Sequence, residues 1–298
     1  MKIFGLDVGT MFLCSATSLS NEKVEIKKTR NMFIRVDKEF ISSQEMSNTD
    51  LDYVEGKDEN GETSSIYIIG EDSHKFSMIF NSPPKRPMAN GVISPSEIDS
   101  IDILTLMIEK MIGKTKDGYC VFSVPADPID VDGPQVMYHQ RVFESILKTI
   151  GYESKAINEA LAIVFSECAK EKYTGIGISW GCGMTNVAVV YKGTPVITFS
   201  ISRGGDWIDQ STAKSLGIET VNRVTAIKEN KLDLNKPFSP NKFENRILNG
   251  LSYYYIALIK YALKMIVNKF EEDSDGLQID ESIPIIVSGG TSLPAGFI

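Results

Sequence analysis

The chain has 298 residues, 42% of them hydrophobic and 23% charged, with a net charge of −8. That much apolar sequence can bury two medium cores, and at about 100–200 residues per domain two domains are expected. The acidic balance, without a dense Lys/Arg stretch, excludes an extended nucleic-acid face but leaves room for a small anion held by backbone N–H groups.

Four cysteines (Cys14, Cys120, Cys168 and Cys182) form no CxxC pair, and the histidines are two, His74 and His139. No zinc site is expected from those spacings. Scattered free thiols, and an N-terminal apolar run broken by Asp7, point to a reducing, cytoplasmic setting with no secretory leader.

In chain order, Lys2 to Leu6 reads as a strand, Asp7-Val-Gly-Thr10 as a tight turn, and Met11 onward as a second strand. Asn31 to Val36 and Ser65 to Ile69 are β-like. The polar stretch from Gln44 to Ser65 reads as loops in a small exposed insertion, about 31–75. Ser94-Pro-Ser-Glu97 predicts a helix capped by Ser94 and running to about Ile112. Tyr119 to Val124 predicts a buried strand, Tyr138 to Ile150 a helix, and Ile157 to Lys170 another.

From Gly175 the opening pattern returns: strand, glycine turn, strand. Asp7, Gly9 and Met11 fall over Ser179, Gly181 and Gly183. Two related halves are expected, 1–150 and 151–298, with a ligand between them. Pro195 to Ser202 continues the sheet and Asp206 opens a helix. A long helix covers roughly Pro240 to Glu271. Within it Leu251, Tyr254, Tyr255, Leu258, Ala262 and Met265 recur at helical spacing, and Lys260 and Lys264 share a face. This is the pattern of an amphipathic core helix, and no segment reads as transmembrane. Pro284 to Val287 predicts a buried strand ending in Ser-Gly-Gly-Thr291. Mixed strands and helices in this order give an α/β class.

The three glycine turns carry the chemistry. Each aims consecutive backbone N–H groups at one point, and glycine lets a phosphate or a flat ring come close. Any one of them is explained as well by an ordinary turn. Three, each after a strand and two of them alike, point to a nucleotide site.

These motifs, in this order, resemble the actin-like ATPase superfamily of actin, the 70-kDa heat-shock chaperones and the sugar kinases, closest to prokaryotic actins such as MreB. FGLDVGT (4–10) resembles its first phosphate motif and INEALAIVFSE (157–167) its first connecting helix. ISWGCGMTNVAVVY (178–191) resembles the second phosphate motif and IIVSGGTSLPAGF (285–297) the adenosine motif. RPMANGVI (86–93) is similar to an MreB segment of the first lobe, RGGDWID (203–209) to the segment after the second hairpin, and AIKENKL (226–232) to an actin helix at the ribose and base.

The resemblance implies a two-lobed, ribonuclease H-like fold that binds ATP and Mg²⁺. Asp7 would organise the metal and its waters. Gly9, Thr10, Gly181, Gly183 and Thr185 would contact phosphates, with Gly204, Gly205 and Asp206 beside them. Lys228 and Glu229 would reach ribose or base, and Gly289, Gly290 and Thr291 would flank the adenosine. Gln140, with His139 behind it, would face the attacking water.

Three departures stand out. Ser179 replaces the Asp that usually opens the second phosphate motif, so hydrolysis is expected to be slow, absent or served by Asp206, Asp209 or Glu159. The short stretch between Asp209 and Gly289 implies a reduced second-lobe insertion. The sequence also stops just after the adenosine motif, where the family continues into a helix returning to the first lobe, as a fragment would. The implied function is a nucleotide-switched, filament-forming cytoskeletal ATPase, self-associating and with unspecified protein adaptors. The alternatives are a nucleotide-binding scaffold without hydrolysis, a chaperone-like ATPase or a small-molecule kinase.

Overall fold

The computed structural model describes residues 1–20, 23–36, 46–48, 50–57, 61–80, 84–132, 136–236, 243–273 and 282–298. The chain divides into two units, Met1–Val124 with Gln135–Ile157, and Pro125–Pro134 with Asn158–Ile298.

In the first unit the opening run folds as β1 (Lys2–Val8), turns at Gly9, and returns as β2 (Phe12–Ser20) and β3 (Lys23–Arg30). β9 (Gly118–Val124) lies parallel to β1, and β10 (Tyr152–Asn158) completes a sheet of order β10-β9-β1-β2-β3. Strand alternation sends Leu6, Val8, Leu13, Cys120 and Phe122 to one face. There they meet Ile103, Leu104 and Met107 of α2 (Ser100–Ile112) and Phe143, Ile146 and Leu147 of α3 (Val136–Thr149) in one core.

A second sheet, of order β4-β6-β5, joins β4 (Phe33–Val36), β5 (Tyr53–Lys57) and β6 (Thr63–Ile69), and α1 (Gly70–Phe80) follows it. The stretch 44–65 is therefore not loop throughout. Tyr53–Lys57 pairs with β6 and buries Val54, because the alternation of Tyr53, Val54 and Glu55 suffices for a strand once β6 offers an edge. Positions 44, 45, 49 and 58–60 of that stretch lie outside the described residues.

The helix expected from Ser94 begins instead at Ser100. Ser94 spends its N–H on the Pro87 carbonyl, 2.9 Å away, which holds it to the hairpin of β7 (Met88–Ala89) and β8 (Val92–Ile93). That hairpin turns at Asn90-Gly91, whose φ values of 51° and 76° are those of a type I′ turn.

His139 on α3 is fully buried at 0% exposure, its ring 4.8 Å from that of Phe143, and among the described residues neither ring nitrogen has a partner. Burial lowers its pKa to about 4 from the ordinary 6.5. Between those values the unfolded chain binds the proton and the folded chain does not. The stability contribution is thus complete above pH 6.5 and is lost as pH falls towards 4. By pH 5 this amounts to about 2 kcal/mol. Urea unfolding at pH 7.5 and pH 5 should show that loss, and His139→Leu should remove it; equal losses in both proteins would contradict the assignment.

The second unit repeats the topology. β11 (Gly175–Trp180), β12 (Thr185–Tyr191) and β13 (Thr194–Ile201) form consecutive antiparallel pairs, and β14 (Ile285–Ser288) lies parallel to β11. β14 was expected to be buried, yet Ile285 is 58% exposed, with β14 at the edge of the order β13-β12-β11-β14. Residues 125–132 belong here because the backbone at Asp127 and Ile129 follows β13: Ile129 donates to the Ser200 carbonyl at 3.0 Å and Ser200 to that of Asp127 at 3.1 Å.

Both faces of this sheet are covered. On one lie α5 (Gly205–Leu216), α6 (Val221–Lys231) and α7 (Phe243–Asp273). Leu251, Tyr255, Leu258, Ala262 and Ile266 of α7 form its buried stripe, as expected of a core helix; residues 240–242 lie outside the described set. On the other face α4 (Glu159–Glu167) packs Ala160 and Val164 against Ala188 and Val190. α4 is shorter than the expected 157–170: Ile157 and Asn158 belong to β10, and the Asn158 side chain caps the helix by accepting from Leu161 N–H at 3.0 Å. No described helix is long and apolar enough to cross a membrane.

Candidate functional site

The two glycine hairpins share one construction. In the first unit Gly9 N–H donates to the Phe12 carbonyl at 2.9 Å, and a Cβ on Gly9 would lie 2.9 Å from that oxygen. In the second unit a Cβ on Gly181 would lie 2.6 Å from the Met184 carbonyl. A side chain at either position would force the turn open, which is why glycine occupies both.

The first turn is braced from behind. Asn31 is fully buried; its Nδ2 donates to the Gly9 carbonyl at 2.9 Å and its N–H to the Met11 carbonyl at 2.8 Å. Thr10 is buried, and its hydroxyl accepts from Gly91 N–H at 3.0 Å, tying the turn to the Asn90-Gly91 hairpin. Asp7, the last residue but one of β1, is exposed, and one of its carboxylate oxygens accepts from the Ser123 hydroxyl. The protein around it still desolvates the carboxyl and pushes its pKa up, against the pull of the Ser123 bond and the Lys28 charge.

In the second unit Gly204 and Gly205 press against the turn: Gly205 N–H donates to the Gly181 carbonyl at 3.0 Å and Asp206 N–H to that of Cys182 at 2.9 Å. The Thr185 hydroxyl donates to the Arg203 carbonyl at 2.8 Å, and the Thr291 hydroxyl to the Gly181 carbonyl at 2.9 Å. Thr291 thereby links the third glycine segment to the second turn. Gly183 is buried within the turn, whereas a Cβ on Gly290 would meet nothing within 4 Å, leaving open space there. Gly289, at φ 96°, lies against Trp180, whose carbonyl a Cβ would approach to 2.4 Å.

Of the three carboxylates expected near Ser179, one is beside it. The Ser179 hydroxyl donates to Glu159 Oε2 at 3.3 Å, and Asn186 Nδ2 donates to the same oxygen at 3.0 Å. Asn186 Oδ1 accepts from Ala126 N–H at 2.9 Å, which fixes the amide so that its nitrogen faces Glu159. Asp206 accepts from Cys182 Sγ at 3.1 Å, and Asp209 is paired with Lys228 at 2.7 Å inside the unit. Lys228 also reaches the Gly205 carbonyl at 3.3 Å; Glu229, the next residue on α6, is exposed. Gln140 lies on α3 and donates to Glu144 one turn on, at 2.8 Å. Nothing in the sequence singles out Asn186, the second residue of β12; its pairing opposite Ser179 reveals it.

A model of the Volactin family matches residues 1–298. The chain belongs to the Volactin family. Among curated proteins none matches by sequence. The fold resembles that of the MamK double helical filament, with TM-score 0.66 and 14% identity over 99% of this chain and 87% of that one. It also resembles MreB5 of Spiroplasma citri bound to ADP, with TM-score 0.64 and 16% identity over 98% and 86%. The AMPPNP-bound MreB5 gives 0.63 and 15% over the same shares. This volactin therefore has the two-domain fold of the actin-like superfamily, close to MreB and MamK.

The residues suit the group that this fold implies. Gly290 leaves open space that a Cβ would narrow, beside the third glycine segment. Among the described residues no group of three or more His, Cys, Asp and Glu could hold a bare metal ion. Mg²⁺ does not require one, since it keeps most of its waters and takes one or two carboxylates.

Proposed function

We propose that this volactin is a nucleotide-switched actin-like protein that binds ATP with Mg²⁺, hydrolyses it and self-associates into filaments in the cytoplasm, with no direct role for nucleic acid. The observation that carries the reading is the duplicated turn, with Asp7 at the lip of one copy and a braced Glu159 beside the other. Gly9, Gly181, Gly183, Thr10 and Thr185 would present or position the phosphate donors, and Gly289, Gly290 and Thr291 would line the adenosine. Mg²⁺, when bound, would neutralise charge on the phosphate oxygens. Glu159 would orient the attacking water and accept its proton, while Ser179 and Asn186 hold its carboxylate in one rotamer. The similarity to the MamK double helical filament and to MreB5 bound to ADP and to AMPPNP supports the assembly and nucleotide halves of the reading.

ATP affinity and turnover, measured on one sample with Mg²⁺, test it. Saturable, Mg²⁺-dependent binding is expected, with Asp7→Ala losing turnover by about a hundredfold. Wild-type protein that binds no ATP, or that never scatters light at high concentration with any nucleotide, would sink it.

Ser179 favours a second reading, a scaffold that binds ATP without turnover. Ser179→Asp separates the two. If Glu159 does the work, a second carboxylate beside it raises the pKa of the pair and lowers turnover at neutral pH, by about tenfold. If the protein is an idle scaffold for want of that Asp, the same change raises turnover.

A further inference from the structure

The two glycine hairpins differ in the charges that stand beside them. Paired residues in a sheet carry their side chains on one face. In the second unit Ser179 lies in a row with Ser288, Asn186 and Ser200, none of them charged. The matching row of the first unit is Asp7, Cys14 and Lys28, on β1, β2 and β3, with the Ser123 hydroxyl donating to Asp7 at one end. It holds a carboxylate and an ammonium with one short side chain between them.

Lys28 is aimed along that face towards the turn. Its Nζ lies 3.8 Å from the centroid of the Phe12 ring, and Phe12 is the first residue of β2 after the Gly9 turn. A ring face attracts a cation held over it. Burial and the Asp7 charge push the Cys14 thiol up while the Lys28 charge pulls it back, so the ammonium acts on this row. Arg30, the other cation on this face of β3, is engaged: its Nε pairs with Glu71 and its Nη1 donates to Met11 Sδ at 3.6 Å. Among the described residues Lys28 forms no ion pair.

We propose, resting on the nucleotide reading above, that Lys28 is a phosphate-binding residue of the first turn, its ammonium holding the terminal phosphates of MgATP or MgADP beside Asp7. A carboxylate at the turn suits hydrated Mg²⁺, which bridges β- and γ-oxygens, and a lysine in the same row meets those oxygens as a point charge. A monophosphate lacks the contact. The Phe12 ring holds the ammonium off the carboxylate, so both charges stay available to the ligand.

Equilibrium titrations of wild type, Lys28→Gln, Lys28→Arg and Lys27→Gln with MgATP, MgADP and AMP test it. Lys27 is the control, because alternation puts it on the other face of β3. Lys28→Gln should bind MgATP and MgADP about tenfold or more weakly, with AMP affinity within about twofold of wild type and a shallower dependence of MgATP affinity on salt. Lys28→Arg should keep MgATP affinity within about threefold, and Lys27→Gln within about twofold. A Lys28→Gln variant with wild-type MgATP affinity, or with an equal loss for AMP, would overturn the proposal and leave the nucleotide reading standing. So would an equal loss in Lys27→Gln, because net charge alone would then explain both. A wild-type protein that binds no MgATP would remove the proposal and the reading together.

Discussion

Glu159→Gln is expected to lower ATP turnover by about a hundredfold or more while leaving ATP affinity within about threefold. The amide keeps the size of the carboxylate and can still meet Asn186 and Ser179, so neither α4 nor the turn is disturbed. What it loses is the capacity to accept a proton from water. Ser179 and Asn186 donate to one oxygen of the carboxylate, at 3.3 and 3.0 Å, and such donors stabilise the charged form that a general base needs. A steady-state phosphate-release assay beside an equilibrium nucleotide titration checks it. Turnover equal to wild type would remove Glu159 from the mechanism, and a parallel collapse of affinity would make it a binding residue.

Lys228→Met is expected to destabilise the second unit by about 3 kcal/mol at neutral pH. Asp209 is 1% exposed and Lys228 11%, so their contact at 2.7 Å is made away from water. Burial pushes the Asp209 carboxyl up, and the Lys228 charge and the Lys228 and Thr225 hydrogen bonds hold it down. Without the lysine the desolvation remains and the largest opposing influence is gone, leaving a buried charge with only the Thr225 hydroxyl at 2.7 Å. The carboxyl then takes up a proton on folding more readily. The loss should accordingly be largest near pH 7 and shrink towards pH 5, and adding Asp209→Asn should recover most of it. Urea denaturation of the single and double variants decides the matter; a single variant within about 0.5 kcal/mol of wild type would show that the pair contributes little. The same pair bears on the proposed role of Lys228 at the ribose, since the ammonium must be shared between Asp209 and any ligand.

Much of the fold was legible because it is written in local pattern. Gly9 and Gly181 mark turns that no other residue fits, the alternation around them makes strands, and the stripe from Leu251 to Ile266 makes a helix. These depend on neighbours within a few residues, and the order of the motifs pointed to the superfamily. Errors arose where a partner distant in sequence decides the outcome. Tyr53–Lys57 becomes a strand only because β6 offers it an edge, and Ser94 is drawn from the expected helix by the Pro87 carbonyl. Ile285 stays exposed because, among the described residues, β14 has a neighbouring strand on one side alone.

The sequence by itself determined the two glycine hairpins, the duplication and the absence of Asp at 179. Only the tertiary structure decided which carboxylate stands beside Ser179, because Asp206, Asp209 and Glu159 are equal candidates by motif and separate only once the strands are paired. It also decided what Gly177 is for: α4 packs so close that a Cβ there would lie 2.3 Å from the Ala160 carbonyl. Packing is a long-range property, and nothing within β11 itself records it.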